Sequence, residues 1–239
     1  MRRVAPTVLR DILPRSPIFT TEQVATATGT TSAVAARALG RLEHAGLITR
    51  LVRGLWADTK HPDFSPYAVV SFLLQRERAT GAQQESGYVS FLSALHLRGM
   101  LSQIPAAIHI AVGAQRDPIR TPVGVYQFHQ MQPDLLDGHG PGDAYGRFEL
   151  ATPTKAVFDT LYLSARRGRQ FSRLPELELA STVRDAAMRR WIERIAHAPL
   201  RAAVSMKWES LRMRRRQRRR SSSFRSARPL PPGTPAGGH

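Results

Sequence analysis

Along the first 57 residues the apolar positions change period more than once. Val4, Val8, Leu9 and Ile12 share one helical face, which predicts a short helix over residues 4 to 13, ended by Pro14 and Pro17. Thr20-Thr21-Glu22-Gln23 puts a hydroxyl, an acid and an amide where a helix start has free N–H groups to satisfy. That helix is expected to reach Thr28, with Gly29 permitting a sharp turn. A third helix is predicted from about Ser32 to Ala45, with Val34, Ala38 and Leu42 as its stripe, Ala35 and Leu39 beside it, and Gly46 closing it. Leu47 to Val52 and Leu55 to Ala57 are then β-prone runs around Arg53-Gly54, the signature of a hairpin. Helix, helix, turn, helix and hairpin, in that order, is the winged helix-turn-helix plan.

The remaining chain reads as a mixed domain. Asp58 to Pro66, with two prolines, predicts a linker. Helices are expected at Tyr67 to Glu77 and Tyr88 to Arg98, the second with Phe91, Leu92, Leu95 and His96 near its inner face. Ala79 to Gly87 is polar and reads as a loop. Ala107 to Val112, Val123 to His129 and Arg147 to Ala151 predict strands. Thr152-Pro153-Thr154 opens a helix whose inner face is Val157, Phe158, Leu161 and Tyr162, and further helices follow near 183 to 196 and 199 to 213. The fold class expected is α+β: a winged helix-turn-helix at 1–57, a linker at 58–66, an α+β domain at 67–211 and a disordered tail at 212–239.

Charge sharpens this picture. The formal net charge is +17, which calls for a polyanionic partner. Residues 212 to 228 carry nine arginines and no acidic residue, while residues 1 to 57 hold eight arginines against three acids. The rest of the chain is close to neutral. The basic character therefore lies in the N-terminal unit and the tail. Cysteine is absent, which removes disulfides, thiol nucleophiles and thiolate metal sites. No apolar run reaches the roughly 20 residues that cross a bilayer, so a soluble, cytoplasmic protein with no membrane partner is expected.

The candidate site is the third helix and the hairpin. With Val34, Ala38 and Leu42 facing inward, Ser32, Ala33, Ala36, Arg37 and Gly40 face outward, with Arg41 at the edge. Small residues let a helix sit deep in the major groove, and Arg37 is the one long donor suited to guanine O6 and N7. Thr31 and Ser32 at the positive helix end suit a phosphate. Arg50 and Arg53 at the hairpin suit the backbone or the minor groove. The expected ligand is double-stranded DNA; no catalytic residue, cofactor or metal is assigned.

Tyr88-Val89-Ser90-Phe91-Leu92-Ser93-Ala94-Leu95-His96-Leu97-Arg98-Gly99-Met100-Leu101 resembles a signature of the AbiEi antitoxins of type IV, abortive-infection toxin–antitoxin systems. Ile104-Pro105, the run Ile108 to Val112, and Leu150-Ala151-Thr152-Pro153-Thr154-Lys155-Ala156-Val157-Phe158-Asp159 follow in that family's order. The resemblance covers roughly residues 5 to 200. It implies an N-terminal domain that represses its own operon. It also implies a C-terminal domain that counters a nucleotidyltransferase-like toxin without a stable complex. The Arg-rich tail departs from the family pattern.

Two other readings compete. Asp134, Asp137, His139 and Asp143 in a Gly-rich stretch offer oxygen and imidazole ligands for a divalent cation, as in a metal-dependent nucleic-acid hydrolase targeted by the winged helix. Their spacing matches no standard metal loop, and such residues also compose ordinary surface loops. The third reading is a plain ligand-responsive transcription factor. Lys155 and Asp159, four apart, are expected to form a helix-surface ion pair.

Overall fold

Two helices of the N-terminal unit begin where side-chain acceptors meet free backbone N–H groups. The computed structural model describes residues 4–78, 87–144, 146–166 and 176–226. Helix α1 (Val4–Thr7) continues as a π turn over Val8–Ile12. Strand β1 (Ile18–Thr20) leads into α2 (Thr21–Thr28). Thr20 Oγ1 accepts the Gln23 N–H at 3.1 Å, and Gln23 Oε1 accepts the Thr20 N–H at 2.7 Å, so one reciprocal pair fixes this boundary. Gly29 then turns the chain at φ +63°, a left-handed conformation that disfavours a side chain. Helix α3 (Ser32–His44) follows, and Thr31 Oγ1 caps it by accepting the Val34 N–H at 3.4 Å.

Strands β2 (Thr49–Val52) and β3 (Leu55–Ala57) are joined through Arg53-Gly54. The three-stranded sheet is antiparallel in the order β1-β3-β2. It is buried on both faces. Phe19 and Trp56 pack with Val8, Val24, Ala38, Leu39 and Leu42. Ile18, Leu51, Leu55 and Ala57 belong instead to the main core of the second unit. Trp56 Nε1–H donates to Thr21 Oγ1 at 2.9 Å, which satisfies the buried indole and ties sheet to helix.

Residues 58–66, expected to be a linker, are held against the body. The Asp58 N–H donates to Pro17 O at 2.9 Å, Tyr126 O–H donates to Pro66 O at 2.8 Å, and the Arg147 guanidinium donates to Asp63 O. After a 3-10 turn come α4 (Val69–Arg78), β4 (Gly87–Val89) and α5 (Phe91–Leu97). Strands β5 (Ile108–Val112), β6 (Ile119–Thr121), β7 (Gly124–Gln130), β8 (His139–Pro141) and β9 (Glu149–Ala151) complete a sheet of order β6-β7-β5-β4-β9-β8. The β5–β7 and β4–β9 pairs are parallel, so the sheet is mixed. Helices α6 (Pro153–Ala165), α7 (Asp185–Glu193) and α8 (Ala198–Ser226) follow.

Eight α-helices and two sheets among the described residues make the fold α+β. Helix α6 is buried all round from Thr154 to Ser164, packed against α5, α7 and α8. No helix among the described residues is long and apolar enough to cross a membrane.

Three further expectations change. The helix predicted from Tyr88 starts at Phe91, because Gly87, Tyr88 and Val89 pair antiparallel with β5 and Val89 pairs with Leu150. The Arg-rich segment expected to be disordered from 212 continues α8 to Ser226. Lys155 and Asp159 lie in the core rather than on the surface. Of the loop expected at 79–87, Gly87 opens β4 and residues 79–86 lie outside the described residues, as does the tail end at 227–239.

Candidate nucleic-acid interface

The face of α3 follows its apolar spacing. Ala35, Ala38, Leu39 and Leu42 are buried, and Val34 is half-buried. Thr31, Ser32, Ala33, Ala36, Arg37 and Arg41 are all exposed, on consecutive turns of one helix side, with Gly40 half-buried beside them. The groups nearest the helix start are small. Arg37 rises from the middle of this face, its Nε–H 3.4 Å from Ala33 O within the same helix. Thr31 spends one lone pair on capping but keeps its O–H to donate.

Arg50 and Arg53 are exposed as well. The Arg50 guanidinium lies 5.6 Å from the Trp56 ring centroid, which orients an otherwise flexible side chain. The Arg50 N–H donates to Glu43 Oε1 at 3.3 Å, so the base of the hairpin is tied to the last turn of α3. Arg53 stands at the hairpin tip beside Gly54, whose φ of +79° makes the two-residue turn possible. The eight predicted residues thus occupy two adjoining elements of one small unit. Arg10, by contrast, is paired with Asp11 at 2.9 Å, and that pairing raises its already high pKa.

The acidic stretch of the competing reading does not converge. Asp137 is bound by Arg194 at 2.9 Å, and this bond holds its carboxyl below the usual range. Asp143 takes the Arg147 guanidinium at 2.6 Å. His139 Nδ1 lies 2.8 Å from Glu149 Oε2 on the β8–β9 edge. Among the described residues no group of three such side chains is placed to hold a metal ion.

A dense polar cluster lies in the core and was not expected. Lys155 and Asp159, both 0% exposed, form an ion pair on α6. Lys155 Nζ also donates to Leu135 O at 2.6 Å and sits 4.5 Å from the Trp191 ring centroid. Asp159 Oδ2 accepts from Ser90 Oγ at 2.6 Å and from Tyr88 O–H at 3.1 Å. Burial pushes the Asp159 carboxyl up and the Lys155 ammonium down, while each charge pulls the other back. Burial beside Asp159 likewise raises the Tyr88 phenol, which stays a donor. Phe91, next to Ser90, holds φ +53°, a strained conformation for an aromatic residue that full burial maintains. Ser90 Oγ and Lys155 Nζ thus meet on the two oxygens of one enclosed carboxylate, which ties α6 to β4 and to the cap of α5. A second buried pair, His109 Nδ1 and His129 Nε2 at 2.9 Å, bridges β5 and β7. Burial, then the neighbouring ring, lowers the His109 pKa to about 4.

No protein-family model matches the chain, and no curated protein matches it. Among solved structures, the chain is similar to the crystal structure of RV2827C protein from Mycobacterium tuberculosis, with a TM-score of 0.58 and 18% identity over 87% of this chain and 76% of that one. At that identity the likeness is one of fold.

Proposed function

We propose that residues 1–57 form a winged helix-turn-helix that binds duplex DNA, and that the protein is a transcriptional repressor acting as the antitoxin of a type IV toxin–antitoxin system. The observation that carries the DNA-binding part is the exposed side of α3. Small residues at Ser32, Ala33 and Ala36 surround Arg37, and an arginine-tipped hairpin follows directly. In this reading α3 enters the major groove and Arg37 donates to guanine. Thr31, Ser32 and Arg41 take flanking phosphates, and Arg50 and Arg53 take the backbone beside the wing. The antitoxin half rests on the residues that resemble the AbiEi signature. Its toxin partner is nucleotidyltransferase-like and forms no stable complex with it.

Two measurements test the two halves. Anisotropy on a duplex from upstream of the protein's own gene should show binding about a thousandfold tighter than on a shuffled duplex. Equal binding would remove the repressor. The full-length double variant Arg37→Ala/Arg53→Ala should lose that preference and still rescue growth when co-expressed with a neighbouring toxin. Loss of rescue in the folded variant would mean that protection works through repression alone.

A further inference from the structure

Helix α8 has 29 residues, a length of about 43 Å. Its first half is built into the body: Val204 and Trp208 lie in the main core. Its middle is pinned by charge. The Arg212 guanidinium bridges Asp185 at 3.1 Å and Glu209 at 2.9 Å, and Arg215 donates to Ala180 O at 3.2 Å. Beyond Arg215 the helical backbone continues through Ser226. The sequence puts arginine at 216, 218, 219, 220 and 225 of this stretch and no acidic residue.

A helix so loaded opposes itself. Like charges three and four residues apart repel, and only those in the last turn gain from the helix dipole. Ser221, Ser222 and Ser223 add little intrinsic helicity. A polyanion resolves the repulsion, releasing its own counterions as it does so. Single-stranded nucleic acid is held largely by stacked aromatic rings, and Phe224 is the one aromatic residue here. A regular array of phosphates is the better match.

We infer that residues 216 to 226 are a helical basic arm that docks on the phosphates of duplex DNA, adding sequence-independent affinity from a base fixed to the body. The choice of DNA rests on the reading of α3 as a DNA-binding helix; the arm's polyanion chemistry does not.

The test is anisotropy of the full-length protein on a random-sequence DNA duplex across a potassium chloride series. Replacing Arg216, Arg218, Arg219 and Arg220 by glutamine preserves helix propensity and removes four charges. The slope of log affinity against log salt should flatten by about three to four. Gln217→Pro keeps every charge but breaks the helix, and should weaken binding about tenfold at constant salt, roughly the value of one lost pre-organised contact set. The helical circular-dichroism signal of the wild type should rise on adding duplex. An unchanged slope in the glutamine variant would overturn the arm. Wild-type binding by Gln217→Pro would overturn its helical character, and tighter binding of an RNA duplex would overturn the choice of DNA. Arg37→Ala separates the two readings. If the arm fails, Arg37→Ala still relaxes preference at one base step; if the α3 reading fails, the arm's salt effect persists while Arg37→Ala changes nothing.

Discussion

Lys155 and Asp159 depend on each other because neither charge has solvent to fall back on. Removing the ammonium alone, Lys155→Met, leaves a buried carboxylate without its counterion and should cost about 3–5 kcal/mol. Lys155→Met/Asp159→Asn keeps an acceptor for Ser90 and Tyr88 without the stranded charge, and should recover most of the loss in urea-melt midpoint. A double variant no more stable than Lys155→Met would show that the pair is not coupled. The four-residue spacing of this pair was legible in the sequence; its burial was not. Tyr88, Ser90 and Trp191, which enclose it, come from β4, the cap of α5 and α7, far away along the chain. His109 makes the fold acid-sensitive. Its pKa is about 4 in the folded chain and 6.5 when unperturbed, so only the unfolded chain takes up the proton between those values. Its contribution is fully present above pH 6.5 and lost as pH falls through about 4, a loss of about 3 kcal/mol. His109→Gln should flatten the stability–pH curve in that window, whereas a curve as steep as the wild type's would assign the acid sensitivity elsewhere.

Element boundaries were readable where local chemistry sets them. The Thr20–Gln23 capping box, the turn at Gly29 and the Arg53-Gly54 hairpin all stand where their residues predict. Strand β4 was missed because its three residues are too few to show a period. Its pairing with Leu150 is parallel and distant, so the run Tyr88 to Leu95 reads as one helix. The extension of α8 was missed for the opposite reason: arginine density and the serines argue against order locally, while the anchors at Asp185, Glu209 and Ala180 are tertiary. Glycines separate the strained from the merely permissive elements. Gly138 holds φ +87°, and a Cβ there would stand 2.5 Å from Trp191, so Gly138→Ala should cost about 1–3 kcal/mol. Gly40 sits inside α3 with nothing within 4 Å of a Cβ, and Gly40→Ala should stabilise by about 0.5–1 kcal/mol. Thermal melts that rank the two the other way would contradict this packing.

At the scale of the whole molecule the two units share one core. Ile18, Leu51, Leu55 and Ala57 of the small sheet are buried with Val69, Leu73 and Tyr126 of the second unit. A fragment beginning at residue 67 would expose that seam, so separation of functions is better tested by substitution in the full chain. The small sheet and its partner helices thereby form a fixed platform for α3. The α+β class and the exposed face from Thr31 to Arg41 could be read from periodicity; the shared seam could not, since it joins residues on both sides of 58–66, which read as a linker. In the proposed function this platform presents Arg37 to a base. The most direct measurement is selection of bound sequences from a random duplex pool by the wild type and by Arg37→Ala. The wild type should enrich one site. The variant should enrich the same site with one base step degenerate and affinity lower by about 1–3 kcal/mol, since a bidentate arginine contact carries that much discrimination. Identical enrichment by both proteins would mean that Arg37 reads no base.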